Sequence, residues 1–314
     1  MLRKLKQFTL ILIPLALWGT LYPFVKIGYD AFQIDAASIP DIIMFAAFRF
    51  TICGLIICGL SWIRKEKLEA PVGKNILRIV HMGIWAIVLH YAFTYVGLSL
   101  TDSSKTALLK QLGVLFYVCF AFLFIKEEKF SVIKIVGAFL GFAGVIAINA
   151  GSGGVSLALG DVLIILASVC IVVSSVMTRK YVQGSSPFWV TGISQLAGGI
   201  IMLVAAFIMG GKIPAFTWKS TWVFAYICTA SIVSYVLWNY ILQKNSLSKL
   251  FIIKFAEPLF ACIFGAVLLQ EDIFKIQYLI AFLLISAGIV LGNQSEKVSK
   301  TEAKGKEYNE SKGN

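Results

Sequence analysis

Lys254 and Glu257 stand three residues apart in "KFAEPLFACIFGAVLLQE" (254–271), a stretch that is otherwise almost wholly apolar up to Glu271. Three residues apart on a helix means the same side, within reach of an ion pair. A lone ammonium at the centre of a bilayer costs about 2.5–3.5 kcal/mol on insertion scales, so it is kept beside a partner or a water-filled cavity. Otherwise its long stem snorkels back to the nearer interface. Glu257 has two readings: a partner that lowers the cost of burying Lys254, or a proton carrier, because a dry site favours a neutral carboxyl. Lys110 is a second lysine in an apolar setting. His90, Tyr91, Thr94 and Tyr95 are spaced to share one helix face, as are Ser231, Ser234, Tyr235, Trp238 and Asn239. Such stripes line a polar cavity, or they bond helices together at about 0.6 kcal/mol per contact. The predicted substrate-binding set is Lys110, Lys254, Glu257, His90, Tyr91, Thr94, Tyr95, Tyr235, Trp238 and Asn239. Its chemistry is capture of an anionic group on an ammonium within an aromatic and hydroxyl lining.

Bond-making chemistry finds little support. A membrane-embedded enzyme acting on a lipid-linked or small-molecule substrate is the rival reading. It would need a nucleophile–base pair or a metal cluster, and neither HExxH nor GxSxG occurs. His81 and His90 lie about 13 Å apart along one helix. No Walker motif is present, which argues against ATP drive within the chain. A channel would call for rings of charge or a selectivity loop. The six cysteines all fall in apolar segments without CxxC spacing and read as small buried hydrophobes. No catalytic residue, cofactor or metal is expected.

The elements that must position these side chains are membrane spans. Of the 314 residues 59% are hydrophobic and 14% charged, against about 45–50% and about 25% in soluble domains. The net charge of +12 is no nucleic-acid signature, because the basic residues sit in short clusters between apolar runs. A span needs about 20 apolar residues. Ten segments qualify: 8–29, 39–63, 76–98, 104–125, 131–149, 158–178, 187–209, 220–242, 247–269 and 273–292. The first has a basic start but is too long for a cleaved leader and reads as a retained span. The joints are "RKEKLEAPVGKN" (64–75), "KEEK" (126–129) and "GSGGVS" (151–156), and the polar tail 294–314 reads as disordered. With the N-terminus inside, twenty Lys and Arg fall on inside segments, five on outside ones and three (Arg49, Lys110, Lys254) within spans. That asymmetry predicts a multi-pass protein of the cytoplasmic membrane with both termini in the cytoplasm.

The sequence also repeats itself at an offset of 144 residues. "HYAFTYVGLSLTDSSKTALLKQLGVLF" (90–116) lands on "SYVLWNYILQKNSLSKLFIIKFAEPLF" (234–260), and "AGVIAIN" (143–149) on "AGIVLGN" (287–293). Tyr91 meets Tyr235, Lys110 meets Lys254, Glu127 meets Glu271, and 14 of 60 positions are identical without a gap. The fold class predicted is therefore an all-α membrane protein of ten transmembrane helices in two inverted five-helix repeats, 1–150 and 151–293. Five spans is an odd number, so the second half enters from the opposite side. This is the plan of secondary transporters, with a central site between the halves. GxxxG spacing in "GAFLGFAG" (137–144) and "GIVLG" (288–292) predicts close helix packing, inside one protomer or across a homodimer.

These residues resemble the ten-span EamA-like branch of the drug/metabolite transporter superfamily. The matching pieces are "LWG" (17–19), "FRF" (48–50), "GDVLIILASVC" (160–170) and "NSLSKLFIIKFAEPLFACIFGAVLLQE" (245–271), and the likeness spans about 8–293. It implies a carrier of small metabolites, often an exporter, working by alternating access. Family position implies that Arg49 positions the second span. The related triose-phosphate translocators use lysines on the fourth and ninth spans, where Lys110 and Lys254 stand. They follow the second with arginine, whereas this chain has Phe255. A bare lysine suits a carboxylate or amino acid better than a bidentate phosphate clamp. The four-span multidrug relatives exchange protons on a first-span glutamate, and 8–29 has no acidic residue. Proton coupling here would therefore fall to Glu257.

Overall fold

The computed structural model describes residues 2–35, 37–68, 72–100, 103–124, 130–149, 159–181, 184–269 and parts of 276–291. Among these, the regular elements are all helical. They are α1 (Leu2–Phe32), α2 (Ile39–Ile63), α3 (Val72–Gly83), a π-helical stretch (Ile84–Leu89) running on into α4 (His90–Leu100), α5 (Ser103–Phe124), α6 (Val132–Asn149), α7 (Leu159–Tyr181), α8 (Pro187–Ile208), α9 (Trp218–Lys244), α10 (Leu247–Lys254) and α11 (Glu257–Leu269). Helices suit a bilayer because each satisfies its backbone groups internally. Among the described residues, seven segments are long and apolar enough to cross a membrane: Thr9–Phe32, Ile39–Ile63, Gly73–Gly97, Leu159–Lys180, Pro187–Ile208, Trp218–Lys244 and Leu250–Leu268, with a shorter apolar helix at Val132–Gly144. The expected tenth span (273–292) is described in part, and its described residues are helical. The "KEEK" joint, the 151–156 loop and the 294–314 tail lie outside the described residues.

Local sequence sets the helix starts. Pro187 opens α8, and the Ser186 hydroxyl accepts from the Phe188 amide at 3.2 Å. Thr217 and Ser220 cap α9 reciprocally, each side chain accepting from the other's backbone amide. Both devices occupy donors that a helix N-terminus would leave open.

The packing repeats as the sequence does. α2 lies along α8, α1 along α9 and α11, and α7 along α4 and α5. Under the 144-residue offset the α1–α9 pair maps onto α7–α4, the α1–α11 pair onto α7–α5, and α2–α8 onto itself. The α2–α8 seam also shows direction. Gly192 faces Cys58, Gly54 faces Leu196 and Gly199 faces Thr51, so one helix descends as the other rises. Equivalent helices that run antiparallel belong to halves of opposite orientation. The seam is tight enough to demand glycine, since a Cβ at Gly199 would lie 2.5 Å from the Thr51 backbone nitrogen. Both seam ends are latched. The Lys212 amide donates to Asp41 Oδ1 at 2.7 Å, and the Ser186 hydroxyl donates to Glu66 Oε2 at 2.9 Å. The Arg64 N–H, and after it the Ser186 hydroxyl, hold the Glu66 carboxyl below the usual carboxylate range.

The GxxxG faces are used within one protomer. A Cβ at Gly288 would lie 2.5 Å from the Gly137 carbonyl and 2.8 Å from the Gly141 nitrogen.

Candidate functional site

The segment 247–269 is two helices. Pro258 has no N–H to offer the carbonyl of Lys254, so the helix cannot run through. Phe255 and Ala256 instead close tight turns onto Ile252 and Ile253 at 3.2 and 2.9 Å. Lys254 thus ends α10 and Glu257 begins α11. A cation at a helix C-terminus and an anion at an N-terminus each meet a favourable helix dipole. The helix is broken there, with the two charges at the edges of the break. Discontinuous helices of this kind build the central sites of secondary transporters.

The pair forms as the spacing predicts. Lys254 Nζ lies 3.9 Å from Glu257 Oε2, with 14% and 10% of the two side chains accessible. The Tyr22 hydroxyl donates to Glu257 Oε1 at 3.2 Å. Lys254 does not reach back to an interface. Its ammonium lies 5.3 Å from the Trp18 ring centre and 5.8 Å from that of Trp238. Two indole faces replace part of its lost hydration, about 2 kcal/mol each where water is excluded. Lys110 Nζ stands 5.6 Å from the Tyr22 ring centre, within electrostatic reach of Glu257 and Lys254. The equivalent lysines of the two repeats therefore share one site with a single carboxylate between them.

Tyr22 shows that this site is open. It keeps 40% of its surface accessible although its hydroxyl rests on buried Glu257. Tyr22 therefore joins an accessible ring to a buried carboxylate.

A second layer joins the repeats beside the first. The Tyr91 and Tyr235 hydroxyls lie 2.6 Å apart. They are equivalent residues, so the pseudo-twofold axis passes between them. Trp18 connects the layers, with ring centres 5.5 Å from Tyr235 and 5.1 Å from Trp238. Tyr95 packs on Tyr91 at 5.6 Å. Thr94 is buried, and its hydroxyl has no protein partner among the described residues. His90 and Asn239 turn to neighbouring helices. His90 Nδ1 donates to the Ala167 carbonyl at 2.8 Å, and Asn239 Nδ2 donates to Thr191 Oγ1 at 2.9 Å. Nearby, the Ser194 hydroxyl donates to the Thr191 carbonyl, while buried Gln195 has no partner for either amide atom among the described residues.

Arg49 is 2% exposed. Its Nε donates to Ser231 Oγ at 2.9 Å, and its guanidinium lies 5.0 Å from the Phe50 ring centre and 5.9 Å from that of Tyr91. The second span is thus anchored to α9, with a hydroxyl in the place of a carboxylate. Trp18 and Tyr22 border the charge pair, and the side-chain stripes did not reveal them, although their i, i+4 spacing put them on one face of α1. Among the described residues, no group of three or more His, Cys, Asp or Glu is placed to hold a metal ion.

Known proteins share this plan. The sequence profile of the EamA-like transporter family matches the chain twice, over residues 5–150 and 158–293. An Archaeoglobus fulgidus protein named as an uncharacterized transporter is 26% identical, covering 85% of this chain and 90% of its own. The uncharacterized transporter YvbV of Bacillus subtilis is 24% identical over 97% of both chains. The uncharacterized inner membrane transporter YedA of Escherichia coli is 24% identical over 88% of this chain and 87% of its own. One crystal structure superposes with a TM-score of 0.73 at 18% identity, over 91% of this chain and 96% of that one, and so shares the fold. A multi-pass helical bundle, packing pairs that recur at the repeat offset, and a profile that matches once per half lead to one conclusion: this chain belongs to the EamA-like transporter family.

Proposed function

We propose that this protein is a secondary transporter of a small organic metabolite, an amino acid or another carboxylate-bearing solute, and that it works as an exporter by alternating access. In this reading ten helices form two inverted repeats, 1–150 and 151–293. Both termini face the cytoplasm, and 294–314 is a cytoplasmic tail. The site lies between the repeats at Lys110, Lys254 and Glu257, lined by Trp18, Tyr22, Tyr91 and Tyr235.

The observation that carries the reading is the charge excess at the break between α10 and α11. Among the described residues, two ammonium groups share one carboxylate there, beside Tyr22, which keeps 40% of its surface accessible. An enclosed charge without a partner is costly, so the vacant ammonium favours an anion. A carboxylate suits a single Nζ, and the tryptophan and tyrosine faces suit the apolar body of a metabolite.

The mechanism follows from exchange of partners. When the solute carboxylate takes Lys254, Glu257 keeps only the Tyr22 hydroxyl and the more distant Lys110. Uptake of a proton by Glu257 then removes a stranded charge and couples transport to pH. The groups facing Glu257 are Tyr22 from α1, Lys110 from α5, Tyr91 from α4 and Lys254 across the break. Rotation of one repeat against the other about the Tyr91–Tyr235 contact would expose the site to each side in turn. Proteoliposomes without nucleotide test the proposal. Saturable uptake of a carboxylate-bearing solute down its own gradient supports it, and chemical conversion of the solute without net flux would favour an enzyme.

A further inference from the structure

We propose that Arg49, Tyr29 and Tyr95 form a second carboxylate station, separate from the Lys254–Glu257 pair and on the other side of the Tyr91–Tyr235 contact. The inference rests on the transporter reading for its role in a pathway, but the anion site itself stands on its own geometry.

Arg49 is the largest of the fully buried side chains, and arginine keeps its charge in any protein setting. Among the described residues, no carboxylate lies within ion-pair distance of it. Nε has Ser231, whereas Nη2 has no partner. Beside it, Tyr95 is 6% exposed and its hydroxyl turns to the Arg49 guanidinium, which offers no acceptor for the phenol proton; the Tyr29 hydroxyl has no partner among the described residues. The three side chains lie within electrostatic reach of one another. The rings of Tyr29 and Tyr95 are held in place, packed on Phe45 at 5.6 Å and on Tyr91 at 5.6 Å. A buried guanidinium with an idle N–H, next to two idle phenol groups, is a set of donors awaiting an acceptor. Each is costly to leave unmade in low dielectric. A carboxylate offers about four acceptor sites and one negative charge, enough for all three donors.

The placement suits a pathway. Tyr29 lies near the end of α1 and Tyr95 near the end of α4. Arg49 lies about 15 Å in from the start of α2. Arg49 touches Tyr91, Tyr91 bonds Tyr235, Tyr235 packs on Trp18, and Trp18 covers Lys254. A solute leaving Lys254 past the tyrosine pair therefore meets a second cation on the far side. The first station belongs to the break between α10 and α11, the second to the α1, α2 and α4 end of the bundle.

The test measures acetate binding to purified Lys254→Ala protein by saturation-transfer NMR, so that the first station keeps only Lys110, whose charge Glu257 balances. The expected result is saturable binding that weakens about tenfold when Tyr95→Phe or Tyr29→Phe is added, the worth of one hydrogen bond to a charged group. Removing a hydroxyl leaves the ring packing intact, so these variants stay folded even if Arg49→Gln does not. Equal affinity with and without the hydroxyls, or loss of all acetate binding in Lys254→Ala protein, overturns the second station and leaves the transporter reading standing. Binding of chloride without binding of acetate also overturns it. Loss of flux in Lys254→Ala proteoliposomes, with acetate still bound, separates the two stations.

Discussion

At the scale of single residues, the exchange of partners at Lys254 sets the expectations. Lys254→Ala leaves Glu257 without its ammonium and the solute without its anchor, so flux is expected to fall at least tenfold while protein yield is maintained. Lys110→Ala is expected to act in the same direction more weakly, because Lys110 stands off the pair beside Tyr22. Flux in proteoliposomes checks both. A neutral side chain at position 257 leaves Lys254 free for the solute, so Glu257→Gln is expected to bind solute more tightly than the wild type, as calorimetry would show. The sequence made Lys254 and Glu257 legible, because charges in an apolar run and their i, i+3 spacing need no tertiary information. Trp18 and Tyr22 were less legible. An aromatic residue on a span is ordinary, and only the fold brings α1 against α11. Arg49 read as a positioning residue, and it does anchor α2 to Ser231. Its idle Nη2 is visible only once every neighbour is placed.

At the scale of elements, two features carry the account. The first is the break at Phe255–Ala256, which the sequence signalled through Pro258 without showing that the charges would end one helix and begin the next. Pro258→Ala restores the missing donor and is expected to join α10 to α11, slowing transport while raising thermal stability. The second is the α2–α8 seam. Gly199→Val puts a branched side chain where a Cβ already meets the Thr51 backbone. Overpacking costs about 1–3 kcal/mol where neighbours can shift, and backbone cannot shift far. A melting temperature lower by several degrees is expected in detergent, and an unchanged one would mean that the seam is looser than described. Gly137 and Gly141 were legible as a packing face, but spacing alone did not reveal that their partner is Gly288 of the same chain. His90 and Asn239 show the same limit: their stripes were real, yet each turned to a neighbouring helix backbone or hydroxyl.

At the scale of the whole molecule, the repeat and the charge asymmetry were the most legible features, because both are sums over many residues. Offset alignment paired Tyr91 with Tyr235, and the structure brings their hydroxyls to 2.6 Å. Twenty Lys and Arg on the expected inside segments against five on the outside ones predict both ends in the cytoplasm, so reporters fused at Asn314 and in the 151–156 loop are expected to read cytoplasmic and external, respectively. A cytoplasmic signal from the loop would contradict inverted repeats. The central claim, that a carboxylate-bearing solute crosses at the Lys254–Glu257 pair between two halves, meets its most direct test in counterflow. Proteoliposomes preloaded with one unlabelled amino or carboxylic acid, free of nucleotide, are given a trace of the same labelled compound, in wild-type and Lys254→Ala form. The expected result is transient accumulation of label in the wild type for at least one such solute, and its absence in Lys254→Ala. Accumulation of equal size in both proteins would contradict the account.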